Sequence, residues 1–305
     1  MAMKVGCIIQ GDIRRGSRLI LETLPHLFDY TVLSTWNDGQ IIPKGDFELI
    51  RSPKPVVAGF TNRNYQRFSS ARGLDAAKAA GCDYVLKWRT DMLPTRMAVN
   101  QLMEWAHFSP PEGTNSRIVV PAFRNISISP DSFSTMPDLF SFGHIHEMEK
   151  LWSDDGFNYK QMFNMSEQDR VALGPEYLGL PSLEDLYCAE AELYALYRSR
   201  INQHASQQLN HKSVAENYLR LIDHQQLGIL WFGAQAGFRS LGQAWEHPWW
   251  TETQWAQHSA KIHPCGYHSR GLLGRLKKKI SKYKIQQEIA AQENIWASQF
   301  QNVTL

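Results

Sequence analysis

Residues 84–93 read YVLKWRTDML. Tyr84, Val85 and Leu86 form a short apolar run of strand character, and Met92 and Leu93 resume the apolar tone. Between them stand Lys87, Arg89, Thr90 and Asp91. Charges at the end of a core strand are costly unless they pair, bind a metal or face a ligand. Which of these applies decides both the architecture and the chemistry.

The neighbouring stretches repeat the same form. Residues 5–9 are apolar and end in Gln10-Gly11-Asp12, residues 30–33 end in Ser34-Thr35-Trp36-Asn37-Asp38, and residues 47–50 run into the stiff loop SPKP. Residues 18–28 place Leu19, Ile20, Leu21, Leu24, Leu27 and Phe28 on a helical face, and residues 62–80 read as a helix rich in Ala and Arg, stopped by Gly81. Short apolar strands alternating with helices define βαβ units and a mostly parallel α/β sheet of Rossmann type flanked by helices. The pattern continues with a helix near 97–106, a strand at 118–121 and a helix at 184–200. Residues 203–268, with many Trp, His and Gln, give no sharp pattern. The expected division is a nucleotide-binding and catalytic domain over 1–205 and a mainly helical extension over 206–305.

Composition bounds the class without naming the activity. The 305 residues are 43% hydrophobic and 20% charged with a net charge of +2, which supports a large core and no strong global field. Cys7, Cys82, Cys188 and Cys265 form no CxxC pair and no zinc-finger spacing, and Cys7 and Cys82 sit in apolar runs. This usage fits a reducing compartment. The start MAMKVGCIIQGD is too short for a secretory apolar region, and no run approaches 18 apolar residues. The eleven histidines include no HExxH motif, and glycines 11 and 16 are too sparse for a dinucleotide fingerprint or P-loop. The expected location is therefore cytoplasmic.

In open α/β sheets the ligand sits at the carboxyl ends of the strands. The residues to compare are then Gln10, Gly11 and Arg14 after the first strand, Ser34, Thr35 and Trp36 after the second, and Lys87, Arg89, Thr90 and Asp91 after the fourth. The helix that opens NRNYQRFSS adds Arg63 and Arg67, four apart and so on one face, with Gln66 beside them. Guanidinium forks bind phosphate oxygens in bidentate fashion, so this set suits a nucleotide diphosphate. Asp91 could hold Mg²⁺ or Mn²⁺ bridged to that diphosphate. The plainer alternative is that Arg89 and Asp91 are an ion pair closing the strand. Trp36 could stack on a base or sugar, although a tryptophan at a strand end is more often core.

The series VGCIIQGDIR, TVLSTWND, NRNYQRFSSARGLDAAKAAGCDYVLKWRTDM and PDLFSFG resembles the WavE lipopolysaccharide synthesis family. The likeness runs over roughly residues 3–145 and more weakly to about 200. It implies a GT-A-like glycosyltransferase that takes a nucleotide-diphosphate sugar as donor and a surface polysaccharide or lipopolysaccharide glycan, free or lipid-linked, as acceptor. Where such enzymes carry a D-x-D metal motif, this chain has Arg89-Thr90-Asp91. Either Asp91 alone holds the cation, or Arg89 neutralises the phosphate and no metal is needed. For the catalytic base the resemblance implies Asp138, which begins DLFSFG, and Glu192, with Glu190 and Glu176 as rivals.

One further segment stands out. Residues 271–285, GLLGRLKKKISKYKI, combine five lysines and an arginine with Leu272, Leu273, Leu276, Ile280 and Tyr283 near helical spacing. Such a basic amphipathic helix suits the anionic inner face of a membrane, or else packs on its own domain. The sequence carries no nucleic-acid motif, and no nucleic-acid partner is expected.

Overall fold

The computed structural model describes residues 3–14, 16–55, 58, 62–121, 138–154, 189–203, 205, 207–222, 224–233 and 237–240. Its centre is a sheet of seven strands. These are β1 (Val5–Gln10), β2 (Tyr30–Trp36), β3 (Glu48–Ser52), β4 (Tyr84–Arg89), β6 (Ile118–Pro121), β7 (Ser141–His144) and β8 (Leu219–Ile222), in the spatial order β3-β2-β1-β4-β7-β6-β8. A three-stranded sheet, β10-β9-β5, joins β5 (Met92–Pro94), β9 (Ile229–Gly233) and β10 (Gly237–Ser240). The large sheet is mostly parallel, as expected; β7 alone runs antiparallel to both of its neighbours, β4 and β6.

The apolar runs form strands because both faces of the sheet are covered. Every residue of β1 is buried. Cys7 and Ile9 pack on one side with Leu33, Leu86 and Trp88, while Ile8 packs on the other with Val32 and Val85. A strand covered on both faces reads as a continuous apolar run. The first layer contains α1 (Ser17–Thr23) and α3 (Val99–Ala106), and the second contains α2 (Arg63–Ala79), α4 (Ile145–Trp152), α5 (Ala189–Asn202) and α6 (His211–Tyr218). A single turn, α7 (His224–Leu227), precedes β9.

Helix α2 lies close against the sheet at Gly73. A Cβ there would run into Ile8 Cγ2 and come within 3.5 Å of Ser34 Cβ, so the smallest residue sets the approach of helix to strand. Residues 18–28, expected as one helix, split into α1 and a 3₁₀ turn at Pro25–Leu27. Proline lacks the N–H that would continue the helical ladder.

Strand β8 adds to β6 in the large sheet, and β9 pairs with β5 directly after the YVLKWRTD stretch. Residues 206–240 therefore supply sheet as well as helix. The basic segment 271–285 lies outside the described residues. No described helix is long and apolar enough to cross a membrane.

Candidate functional site

Along β3-β2-β1-β4 the strand order reverses between β1 and β4, and such a switch point opens a crevice at the carboxyl ends of the strands. The structure has a crevice of about 190 Å³ there. After β1 it is lined by Gln10, Gly11, Asp12 and Arg14, and after β4 by Arg89, Thr90 and Asp91. Trp36 closes the β2 side, and Asn62, Tyr65 and Gln66 descend from the start of α2.

The two loops are tied to each other. Thr90 Oγ1 donates to the Asp12 carbonyl at 2.6 Å, and Ser17 Oγ donates to the Thr90 carbonyl at 2.8 Å. The Arg14 amide donates to Ser17 Oγ at 2.8 Å. Gly11 turns the chain with φ +119°, a region that favours glycine, and a Cβ there would stand 3.2 Å from Thr90 Oγ1.

Asp91 is at the centre of the charge arrangement. Its side chain is 2% exposed. Arg89 donates to it twice, from Nε to Oδ1 and from Nη2 to Oδ2, both at 2.9 Å. Arg14 Nη1 donates to Oδ2 at 3.0 Å. Burial by itself would lower the pKa of Arg89, but the Asp91 carboxylate outweighs it and holds that pKa above its ordinary value. A second ion pair lies alongside, with Lys54 Nζ donating to Asp12 Oδ1 at 2.9 Å. The same ammonium stands 5.0 Å from the Tyr65 ring centre and 5.8 Å from that of Trp36. Trp36 is 1% exposed and stacks on Phe68, so it is a core residue that also walls the crevice.

The carboxylates present do not fit a divalent cation. Magnesium or manganese would need oxygens of Asp91 or Asp12 together with room for several waters. Both oxygens of Asp91 are taken by guanidinium groups, and Asp12 is paired with Lys54 and Arg14. Among the described residues no three acidic, His or Cys side chains are grouped to hold a metal. The plainer sequence alternative, an Arg89–Asp91 ion pair, is what the structure contains.

The structure gathers Gln10, Gly11, Arg14, Trp36, Gln66, Arg89, Thr90 and Asp91 around one crevice. Ser34 and Thr35 are fully buried and do not line it, although the Ser34 carbonyl accepts from the Gly11 amide at 3.2 Å. Arg63 and Arg67 are buried on α2, and the crevice is lined instead by their neighbours Asn62, Tyr65 and Gln66. Helical spacing puts the arginines on a common face, and Asn62 and Gln66, which line the crevice, each precede one of them by one position. Lys87 points from the same face of β4 as Arg89 but two residues deeper. It is fully buried, donates to the Asp138 carbonyl at 2.6 Å and lies 4.5 Å from the Trp152 ring centre.

Asp138 is buried just before β7 and does not line the crevice. The side chain of Glu192 falls outside the described residues. Its rival Glu190 is half-buried on α5 and, with Asp138, acts electrostatically on Lys87, Arg89 and Tyr194. Asp12, Asn62 and Tyr65 line the crevice and Lys54 pairs with Asp12, and none of the four was among the site residues singled out from the sequence. Lys54 had a signal in the two prolines of SPKP that fix its loop. Tyr65 had one in the helical stripe it shares with Asn62 and Ser69.

Fold and crevice together define an α/β protein with a polar, arginine-rich site at the switch point of its sheet. A family model described as WavE lipopolysaccharide synthesis matches residues 20–263. The chain belongs to that family. No curated protein matches it. Among solved structures it is similar to a cytidylyltransferase from Leptospira borgpetersenii serovar Hardjo-bovis, with 16% identity and a TM-score of 0.31 over 53% of this chain and 69% of that one. It is also similar to a mannose-1-phosphate geranyltransferase from Thermus thermophilus, with 14% identity and a TM-score of 0.32 over 72% and 73%.

Proposed function

We propose that the chain is a GT-A-like glycosyltransferase. It moves a sugar from a nucleotide-diphosphate donor to a surface polysaccharide or lipopolysaccharide acceptor. The observation that carries this reading is the convergence of Arg14 and Arg89 on one spot of the switch-point crevice. Membership in a lipopolysaccharide synthesis family supports it. The donor's diphosphate lies between the ends of β1 and β4, with Gln10, Gly11, Gln66 and Thr90 around it. The basic segment 271–285 keeps the protein at an anionic membrane surface where lipid-linked acceptors are made.

The reaction breaks the bond between the anomeric carbon and the diphosphate oxygen, and forms one to an acceptor hydroxyl. Negative charge grows on the leaving diphosphate, and positive groups already in place stabilise it without reorganisation. Arg14 and Arg89 provide them. In an inverting enzyme a carboxylate takes the hydroxyl proton. We assign that role to Asp138 or Glu190, which act electrostatically on Lys87 and Arg89, or to Glu192.

The test is to heat the protein with UDP-, GDP-, CMP- and dTDP-sugars and then assay turnover with a glycan acceptor. One nucleotide class should stabilise it, by about 2.7 kcal/mol at a hundred times the dissociation constant. Turnover should release an intact nucleoside diphosphate. Pyrophosphate release would mean nucleotidyl transfer instead. Tight binding without turnover under any acceptor would make the protein a non-catalytic nucleotide-binding module.

A further inference from the structure

We propose that Arg14 and Arg89, held in register by Asp91, grip the donor's diphosphate directly, and that Asp91 is their positioning residue rather than a cation ligand. This rests on the nucleotide-sugar reading above and specifies how its site works.

Three observations carry it. The first is saturation. The 2%-exposed carboxylate of Asp91 accepts three charge-assisted hydrogen bonds of 2.9–3.0 Å. A cation could reach it only by displacing a guanidinium, and hydrated magnesium gives up its waters reluctantly. The second is charge. Two aspartates and a divalent cation sum to zero, whereas Arg14, Asp91 and Arg89 sum to a single positive charge. The arginine set therefore carries a net positive charge toward a diphosphate without any metal.

The third is geometry. Among the described residues the hydrogen bonds of the Arg89 guanidinium use Nε and Nη2, so Nη1 is left for a phosphate oxygen. Side-chain exposure is 23% for Arg89 and 34% for Arg14, so both heads reach the crevice while their common anchor is buried. The loops that carry them are locked by the bonds of Thr90 to Asp12 and of Ser17 to Thr90. Forked donors held in place in this way lose little freedom when a phosphate arrives.

Isothermal titration of UDP, GDP, dTDP and CMP decides the matter, run once in EDTA and once in Mn²⁺, on the wild type, Arg89→Lys and Asp91→Asn. Melting temperatures without ligand are recorded for each protein. One nucleotide should bind with the same affinity in both media to within about twofold. Arg89→Lys keeps the charge but loses the fork, and should weaken binding about tenfold in both media. Asp91→Asn should weaken it by a similar factor in EDTA and in Mn²⁺. Affinity that needs Mn²⁺ in the wild type, with the Mn²⁺ dependence lost in Asp91→Asn, would overturn the proposal. Affinity untouched by Arg89→Lys in a folded protein would overturn it too. If the wild type binds no nucleotide in either medium, the nucleotide-sugar reading itself fails.

Discussion

Ser69 Oγ donates to Gln10 Oε1 at 2.7 Å across a buried contact, so helix α2 is pinned to the last residue of strand β1. Gln10 lines the crevice, and the contact holds its amide against α2. Ser69→Ala should cost about 1–2 kcal/mol of unfolding free energy, because a buried amide loses a partner. It should also lower nucleotide affinity a few-fold. Urea denaturation and titration of the same variant check the two effects.

Gly73 sets how closely α2 approaches the sheet. Gly73→Ala should be destabilised by about 1–3 kcal/mol through overpacking on Ile8. It should also lose ligand affinity, because α2 carries Asn62, Tyr65 and Gln66 into the crevice. Gly81→Ala is the matched control. Gly81 has φ +76° but open space around it, so backbone strain of about 1 kcal/mol should appear with binding unchanged. Equal affinities for the two variants would refute the link between helix approach and site.

Lys87 makes stability depend on pH. Burial lowers its pKa to about 8, against an opposing pull from Asp138. In the unfolded chain a lysine titrates near 10.4, so between about pH 8 and pH 10.4 the unfolded state holds the extra proton. Unfolding free energy should therefore rise with pH across that window. Below it, the buried charge costs up to about 3 kcal/mol. Lys87→Met removes the titration. The variant's stability relative to wild type should be greatest below pH 8 and should fall as pH approaches 10, as measured by chemical denaturation at pH 7, 9 and 10.

The parallel strands were legible in the sequence because a strand covered on both faces has no polar positions until it ends. The same reason made several of the strand ends legible as the lining of one crevice. Strand β7 was not, because SFGH between aromatic neighbours looks like any apolar run, and its antiparallel direction is set by distant partners. Strands β8, β9 and β10 were hidden in a stretch rich in Trp, His and Gln; β8 and β9 pair with strands far earlier in the chain, and only β10 pairs locally, with β9.

At the site, the sequence grouped Lys87 with Arg89 at the end of the strand but did not say that only Arg89 lines the crevice. Spacing by four put Arg63 and Arg67 together but did not say which way they turn. The Arg89–Asp91 pair was one of two readings. The structure contains that pair, and Arg14 reaches the same carboxylate from a loop 77 positions away.

Strand β5 begins one residue after Asp91, and its partner β9 comes much later in the chain; Thr95 Oγ1 donates to the Gly228 carbonyl across 133 positions. On the ribosome, every described residue lining the crevice is therefore made long before the strand that braces β5. A nascent chain must keep Arg14, Arg89 and Asp91 together without that brace, or assemble them only near the end of translation.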